Sequence, residues 1–196
     1  MATLLDYPAP DYGCTEYEVW GNRTLADDSG KIVQVRGVRT TPLWRVPLSW
    51  TRPAADLATF LTALRALKGG QTDCYVYTPS YGTWWDGAAA GTGDGATLLF
   101  PFGGRDVQAS PAPVVTVGGV VESAANYTIE VAPGDSLARW RVSFLAGHAP
   151  GAAAAVTVSF SGRRLLLARI ASAGIPHGVP DYQQMQLQLE FRGDEV

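Results

Sequence analysis

Between Gly93 and Phe160 the chain is a succession of short apolar runs cut by turn residues: GDGATLLFPFGG, PVVTVGGVV, YTIEV, RWRVSFL and AAAVTVSF. Each run alternates apolar with polar residues or is enriched in β-branched ones, and each is bounded by Gly, Pro, Asn, Asp or Ser, the pattern of half-buried strands. Strands this short, spaced by roughly ten residues, predict a sandwich or barrel. Gly118-Gly119 marks a hairpin. Upstream, TEYEVW (15–20) and KIVQVRGV (31–38) read as two strands joined across turn material from Asn22 to Gly30, and LWRVPLSW (43–50) as a third. Pro47 places that third strand at an edge or a bulge, because proline cannot donate to a ladder. DCYVYTP (73–79) is a further strand, followed by a glycine-rich loop, SYGTWWDGAAAGTGDGA. RRLLLARIA (163–171) fits either helix or strand, and YQQMQLQLEFR (182–192) alternates as a half-exposed closing strand.

The period changes once. Leu57, Phe60, Leu61, Leu64 and Leu67 fall at helical spacing, which predicts one amphipathic helix over 53–68 with its leucine stripe packed on a sheet. Thr51 or Arg52 is expected at its cap, Pro53 in its first turn, Asp56 near the positive end of its dipole, and Gly69-Gly70 at its end.

The expected fold is therefore mainly β with one amphipathic helix. An N-terminal β-rich module spans 1–86 and is completed by the closing strand 182–192. A second, small β-sandwich-like module spans 93–160, and 161–196 returns to the first. The first fifteen residues, rich in Pro, Tyr and Asp, read as an extended arm.

Composition narrows the class. With 46% hydrophobic and 17% charged residues over 196 positions, the chain can bury a core without staples. A net charge of −3 argues against a nucleic-acid partner, leaving only a local basic patch around Arg163, Arg164 and Arg169 to consider. Cys14 and Cys74 lie far apart with no partner at metal-ligand spacing, so two buried thiols are expected. The N-terminus lacks the basic and apolar regions of a secretion signal, and no apolar run approaches the roughly 20 residues needed to span a bilayer. Folding in a reducing cytoplasm, with no membrane insertion, follows as an expectation.

Little in the sequence does chemistry. Gly91-Thr-Gly-Asp-Gly95 resembles a phosphate loop, but no Lys-Ser/Thr follows and the loop leads into a strand. His148 and His177 stand in loop-like contexts without a nucleophile elbow or a second ligand. Asp86, Asp94, Asp106, Glu122, Glu130 and Asp135 are candidates for a glycosidase carboxylate pair, whose spacing is spatial and not readable here. Asn22-Arg-Thr and Asn126-Tyr-Thr match the glycosylation sequon, which has no meaning without secretion. No catalytic, cofactor-binding or metal residue is assigned, and no enzyme is expected. Tyr81, Trp84 and Trp85 are the candidate functional residues. Aromatic side chains in such a loop serve as anchors on a neighbouring subunit, or stack on sugar rings.

Three stretches carry a resemblance. ADLATFLTALRALKGGQTDCYVYTPSYGTW is similar to a helix, Gly turn, aromatic strand and aromatic loop, GDGATLLFPFG to a Gly-Asp-Gly-x-Thr-x-x-Phe module opening, and PVVTVGGVV through AAAAVTVSF to a strand pattern with an Ala-Pro-x-Gly-Ala turn. In this order they resemble the distal tail proteins of siphophages and gene transfer agents, over somewhat more than half the chain. The family's terminal Val-Arg-Phe-Asp strand is represented only by Leu-Ala-Arg-Ile (167–170). The resemblance implies a structural virion protein, assembled in the host cytoplasm and located at the tail tip or baseplate. It would form a homo-oligomeric ring, a hexamer in the family, that joins the tail tube protein to the baseplate hub protein. A receptor- or carbohydrate-binding tail-tip module, a tube or terminator protein and a glycan-degrading enzyme are the competing readings.

Overall fold

The structure is a computed structural model. It describes the chain except residues 1, 8, 11–16, 20–21, 27–31, 38–42, 68–71, 80–81, 174–183 and 196. The fold is mainly β with one helix, and its sheets are built from antiparallel pairs. Two compact units divide the chain. The first holds Met1–Asp6, Tyr75–Leu166 and Glu195–Val196, and the second holds Tyr7–Cys74 and Leu167–Asp194.

In the first unit, β1 (Thr3–Leu4) lies beside β6 (Cys74–Tyr77), which lies beside the start of β15 (Arg163–Ala173). The two-residue β9 (Gly104–Arg105) pairs with the same start of β15. The rest of the unit is a sandwich. Its four-stranded sheet has the order β11 (Val120–Val121), β10 (Val114–Val117), β14 (Ala155–Ser161), β7 (Trp84–Thr92). Its three-stranded sheet has the order β12 (Tyr127–Val131), β13 (Trp140–Phe144), β8 (Leu99–Phe102).

Alternation decides what faces inward. Val115, Val156, Val158 and Phe160 from one sheet and Phe100, Phe102, Val142 and Phe144 from the other are buried, and the positions between them are mostly more open. The Phe102 and Phe160 rings meet across the sheets with centroids 5.2 Å apart. The expected Gly118-Gly119 hairpin is present: Val117 pairs with Val120, and both glycines have positive φ (58° and 85°), as a two-residue type I′ loop demands.

In the second unit, β5 (Leu43–Pro53) pairs along most of its length with β16 (Gln184–Glu195), with Leu48 opposite Leu189. On its other side β2 (Tyr17–Val19) covers only Leu43–Arg45, so Pro47 falls where no described strand claims that flank. Trp44, Val46, Leu48 and Trp50 are buried, and α1 (Ala54–Ala66) follows directly. Its stripe of Leu57, Phe60, Leu61 and Leu64, continued by Leu67, is buried as the period requires. Phe60 packs on Trp50 with ring centroids 5.1 Å apart, and Tyr7 reaches both rings.

Several local expectations change. Asn22–Ala26 is not turn material but a strand, β3, pairing with β4 (Ile32–Gly37). Asn, Arg and Thr give it polar character, and cross-strand pairing outweighs that local preference. Pro53 is the N-cap of α1, with ψ 142°, and not a first-turn residue, because β5 runs straight into the helix. No side chain caps that end. The start of the extended N-terminal arm packs against the fold: Leu5 and Tyr7 are buried, and the Leu5 N–H donates to the Tyr75 carbonyl (2.8 Å). RRLLLARIA resolves to strand β15, and the loop from Ser80 contains strand β7. Cys14, His177, Gly69-Gly70 and the side chains of the closing strand lie outside what is described.

Candidate functional site

The two tryptophans of the predicted loop sit on consecutive positions of β7, so their side chains leave on opposite faces. Trp85 points inward and is 3% exposed; its indole N–H donates to the Gly162 carbonyl (2.8 Å), and the Arg164 guanidinium lies 5.4 Å from its ring centre. It is a core residue of its own unit and offers no surface to another chain. Trp84 points outward, is 39% exposed, and donates its indole N–H to Asp86 Oδ1 (2.7 Å). Tyr81 lies outside the described residues. Among the described residues, the aromatic loop contributes one presented aromatic side chain, Trp84.

Next to Trp85 lies a buried polar network. Arg163 Nε donates to the Thr78 carbonyl (2.7 Å), the Arg164 N–H to Thr78 Oγ1 (2.9 Å), and the Thr78 N–H back to the Arg164 carbonyl (2.8 Å). The Arg105 and Arg163 guanidinium groups lie 5.5 and 5.7 Å from the ring centre of Tyr77, whose hydroxyl donates to the Leu137 carbonyl (2.8 Å). Burial pushes the Tyr77 phenol above its ordinary value, against the pull of Arg105. Arg163 and Arg164 are therefore internal, and Arg169 is ion-paired with Asp73, so the basic patch left open by the sequence is not formed by these residues. Burial, with the Asp73 carboxylate adding to it, pushes the Cys74 thiol up to about 11, far from a reactive thiolate.

The Gly-Asp-Gly motif has a structural answer. Gly93 N–H donates to the Ala154 carbonyl (2.8 Å), Ala153 N–H to the Gly93 carbonyl (2.9 Å), and Gly95 N–H to the Pro150 carbonyl (2.9 Å). The Gly-Asp-Gly loop and the Ala-Pro-Gly-Ala turn (149–152) are thus two halves of one backbone clasp. A side chain at Gly93 would collide with the carbonyl oxygens of Pro150 and Gly151, so only glycine fits. Asp94 closes its own loop, accepting from the Thr97 N–H (2.6 Å), the Ala96 N–H (2.8 Å) and the Thr97 hydroxyl (2.7 Å). These donors hold its carboxyl down at about 2, below the ordinary 3.8. A folded-state value below the unfolded one means stabilisation that is present above the unfolded value and lost as the pH falls through about 2. Asp94→Ala should accordingly lower stability at neutral pH, and urea titrations should show the gap to the parent chain closing as the pH drops from 4 towards 2.

The other candidate carboxylates are also engaged in the fold. Asp135 accepts from Arg139 Nε and Nη2 (3.0 and 2.7 Å) and from the Leu137 N–H (2.8 Å). Partial burial would raise its carboxyl, but the Arg139 hydrogen bond and the Leu137 N–H prevail and hold it below the usual range. Glu130 is paired with Arg141 (2.7 Å), Glu122 with the Asn126 amide (2.5 Å), and Asp106 lies 3.8 Å from both Arg105 and Arg163. A glycosidase acid needs a raised pKa. Asp94 and Asp135 are shifted the opposite way. His148 is exposed. Among the described residues, no group of three or more His, Cys, Asp or Glu could hold a metal ion, and no helix is long and apolar enough to cross a membrane.

Two features lie beyond the expectations drawn from residue patterns. A groove of about 390 Å³ opens beside β12, lined by Val107, Pro113, Tyr127, Ile129 and Trp140 among others, with the Gln108 side chain at its wall. Large apolar side chains also stand out at strand ends and turns, with Val120 at 70% and Val131 at 55% exposure, joined by Leu99 and Leu145. Alternation assigns Tyr127, Ile129 and Val131 to one strand face. Whether a second sheet covers that face to its end depends on the 107–113 segment, which carries no periodic signal.

The chain matches no known protein family and no curated protein. Among the described residues, Asp94, Asp135, Glu130 and Glu122 bond within the fold, while Trp84, Val120, Val131 and Leu145 stand exposed.

Proposed function

We propose that this chain is a structural subunit of a siphophage-type tail, forming a ring that joins the distal end of the tail tube to the baseplate hub. The hexameric stoichiometry comes from the resemblance alone. The observation that carries the reading is the contrast between engaged polar groups and presented apolar ones. The carboxylates that chemistry would need are held by Arg139, Arg141, Asn126 and loop N–H groups, while Trp84, Val120, Val121, Val131 and Leu145 remain exposed. Val120 and Val121 are adjacent on β11, and an exposed apolar pair of this kind, like Trp84 on β7, suits contact with another protein. The motifs behind the resemblance, Gly93-Asp94-Gly95 and Ala149-Pro150-Gly151-Ala152, are also the parts that clasp each other, which gives their order along the chain a physical purpose. A ring repeats one heterologous contact until rotation closes it, and Trp84 on an edge strand suits such a contact.

The test is Trp84→Ala. Trp84 is partly exposed and its indole bonds Asp86, so stability should change by about 1 kcal/mol, while incorporation into tail particles drops sharply in a complementation assay. Normal particles containing the variant would remove Trp84 from the ring contact, and normal particles formed without this chain at all would sink the reading.

A receptor- or carbohydrate-binding role is the second reading. The groove favours it, because Tyr127 and Trp140 could stack on a sugar ring. In that case Trp140→Ala particles assemble but fail to adsorb.

A further inference from the structure

We propose that β12 is a self-complementary edge on which two copies of this chain pair antiparallel, joining their three-stranded sheets into one. Among the described residues, the sandwich has four edge strands, β7, β8, β11 and β12. Sheet edges left unguarded are templates for another strand, and proteins blunt them with bulges, proline, charge or brevity. Three of the four are blunted. β7 is irregular, with two register shifts against β14 and Gly87 at φ +63°. β8 contains Pro101, and β11 is two residues long. β12 keeps perfect register with β13 through five residue pairs, with no proline or bulge, and its one charged side chain, Glu130, is paired with Arg141 of β13.

The backbone shows which groups it offers. Leu145 N–H donates to the Asn126 carbonyl (2.9 Å), and Ala132 N–H to the Arg139 carbonyl (3.0 Å). In an antiparallel ladder, bonded and non-bonded positions alternate. Asn126, Thr128, Glu130 and Ala132 therefore turn their backbone groups to β13, and Tyr127, Ile129 and Val131 turn theirs to the open edge. The side chains of these same three residues share the sandwich-facing side of the sheet, where Tyr127 and Ile129 line the groove and Val131 is largely exposed.

The occupant that fits is a second copy. With a two-fold axis through Ile129, that residue faces the partner's Ile129 and Tyr127 faces the partner's Val131. On the other side of the sheet, Thr128 faces the partner's Glu130. Every outward N–H meets an outward carbonyl, apolar residues face apolar ones, and no carboxylate faces another. Such cross-strand pairs are the unit of sheet stabilisation. The contact is isologous and closes on itself, so it stands or falls independently of a ring built through Trp84.

Thr128 is exposed on the outward side of the sheet, which allows a test that leaves the core intact. In sedimentation velocity of the full chain over a wide concentration range, the parent should pass from monomer to dimer. Thr128→Glu sets a carboxylate against Glu130 twice per dimer and should weaken association roughly tenfold, whereas Thr128→Lys should strengthen it by about the same factor, the gain fading with salt. A parent that is monomeric at every concentration overturns the proposal. So does association that ignores both Thr128 variants, including association that responds only to Trp84→Ala.

Discussion

Trp85→Ala is expected to lower the unfolding free energy by about 4 kcal/mol, the cost typical of emptying a large aromatic site in a core. The indole is nearly inaccessible, and its loss also deprives the Gly162 carbonyl of its donor and the Arg164 guanidinium of an aromatic face. Arg164 is itself buried and tied to Thr78, so the damage extends into the polar network beside it. Denaturant unfolding of Trp85→Ala beside Trp84→Ala makes the measurement decisive. Two adjacent tryptophans should differ by about 3 kcal/mol or more, because one is a core residue and the other is presented. Equal, small effects would mean that Trp85 is not packed as described. Trp85→Phe, which keeps most of the ring volume but removes the N–H, should recover more than half of the loss and leave about 1 kcal/mol, the worth of the hydrogen bond.

Gly93→Ala is expected to cost about 3 kcal/mol, the range of a forced overlap in a packed site. The added methyl would meet backbone carbonyls of Pro150 and Gly151, which belong to the clasp and cannot rotate away as a side chain could. Gly95→Ala is the informative control. Nothing lies within 4 Å of its would-be methyl, but its φ is +81°, so it incurs only the dihedral penalty of about 1–2 kcal/mol. Thermal unfolding should rank the variants parent, Gly95→Ala, Gly93→Ala in falling order. Hydrogen exchange should localise the Gly93→Ala loss to the amides of Gly93, Gly95 and Ala153. The reverse ranking would show that the conformation of the loop, and not the close approach, sets the identity of these glycines.

Elements with strong periodicity are legible in the residues alone. The stripe from Leu57 to Leu67 has only one period to obey, and the runs from Leu98 to Phe160 alternate because each strand has one wet and one dry face. The Gly118-Gly119 hairpin is legible because few residue pairs accept positive φ twice. Features created by distant partners are not. Asn22–Ala26 is a strand because of β4, and Trp84–Thr92 is one because of β14; glycine and alanine disguise the latter as loop. The pair Trp84-Trp85 stands out by residue type, but type cannot say which of two neighbours faces inward. That depends on the register of β7 against β14, where Phe160 is opposite Trp85. Arg163 and Arg164 mislead for a similar reason, since their charge suggests a surface and the Thr78 and Tyr77 partners that admit them to the interior come from 85 or so residues earlier. The groove leaves no trace in the residue pattern because it is a shortfall in coverage, and coverage is a property of three dimensions.

The route of the chain bears on how it is born. The second unit is left at Cys74 and resumed at Leu167, and β5 finds β16 only across well over a hundred intervening residues. Emerging from the ribosome from its N-terminus onward, the polypeptide exposes Trp44, Val46, Leu48 and Trp50 long before their pairing strand has been synthesised, whereas Tyr75–Leu166 arrives as one uninterrupted piece. Nascent chains fold domain by domain, and long-separated pairings come late. The sandwich should therefore mature first, with the early tryptophan strand waiting half-made, a client for chaperones until β16 has been synthesised.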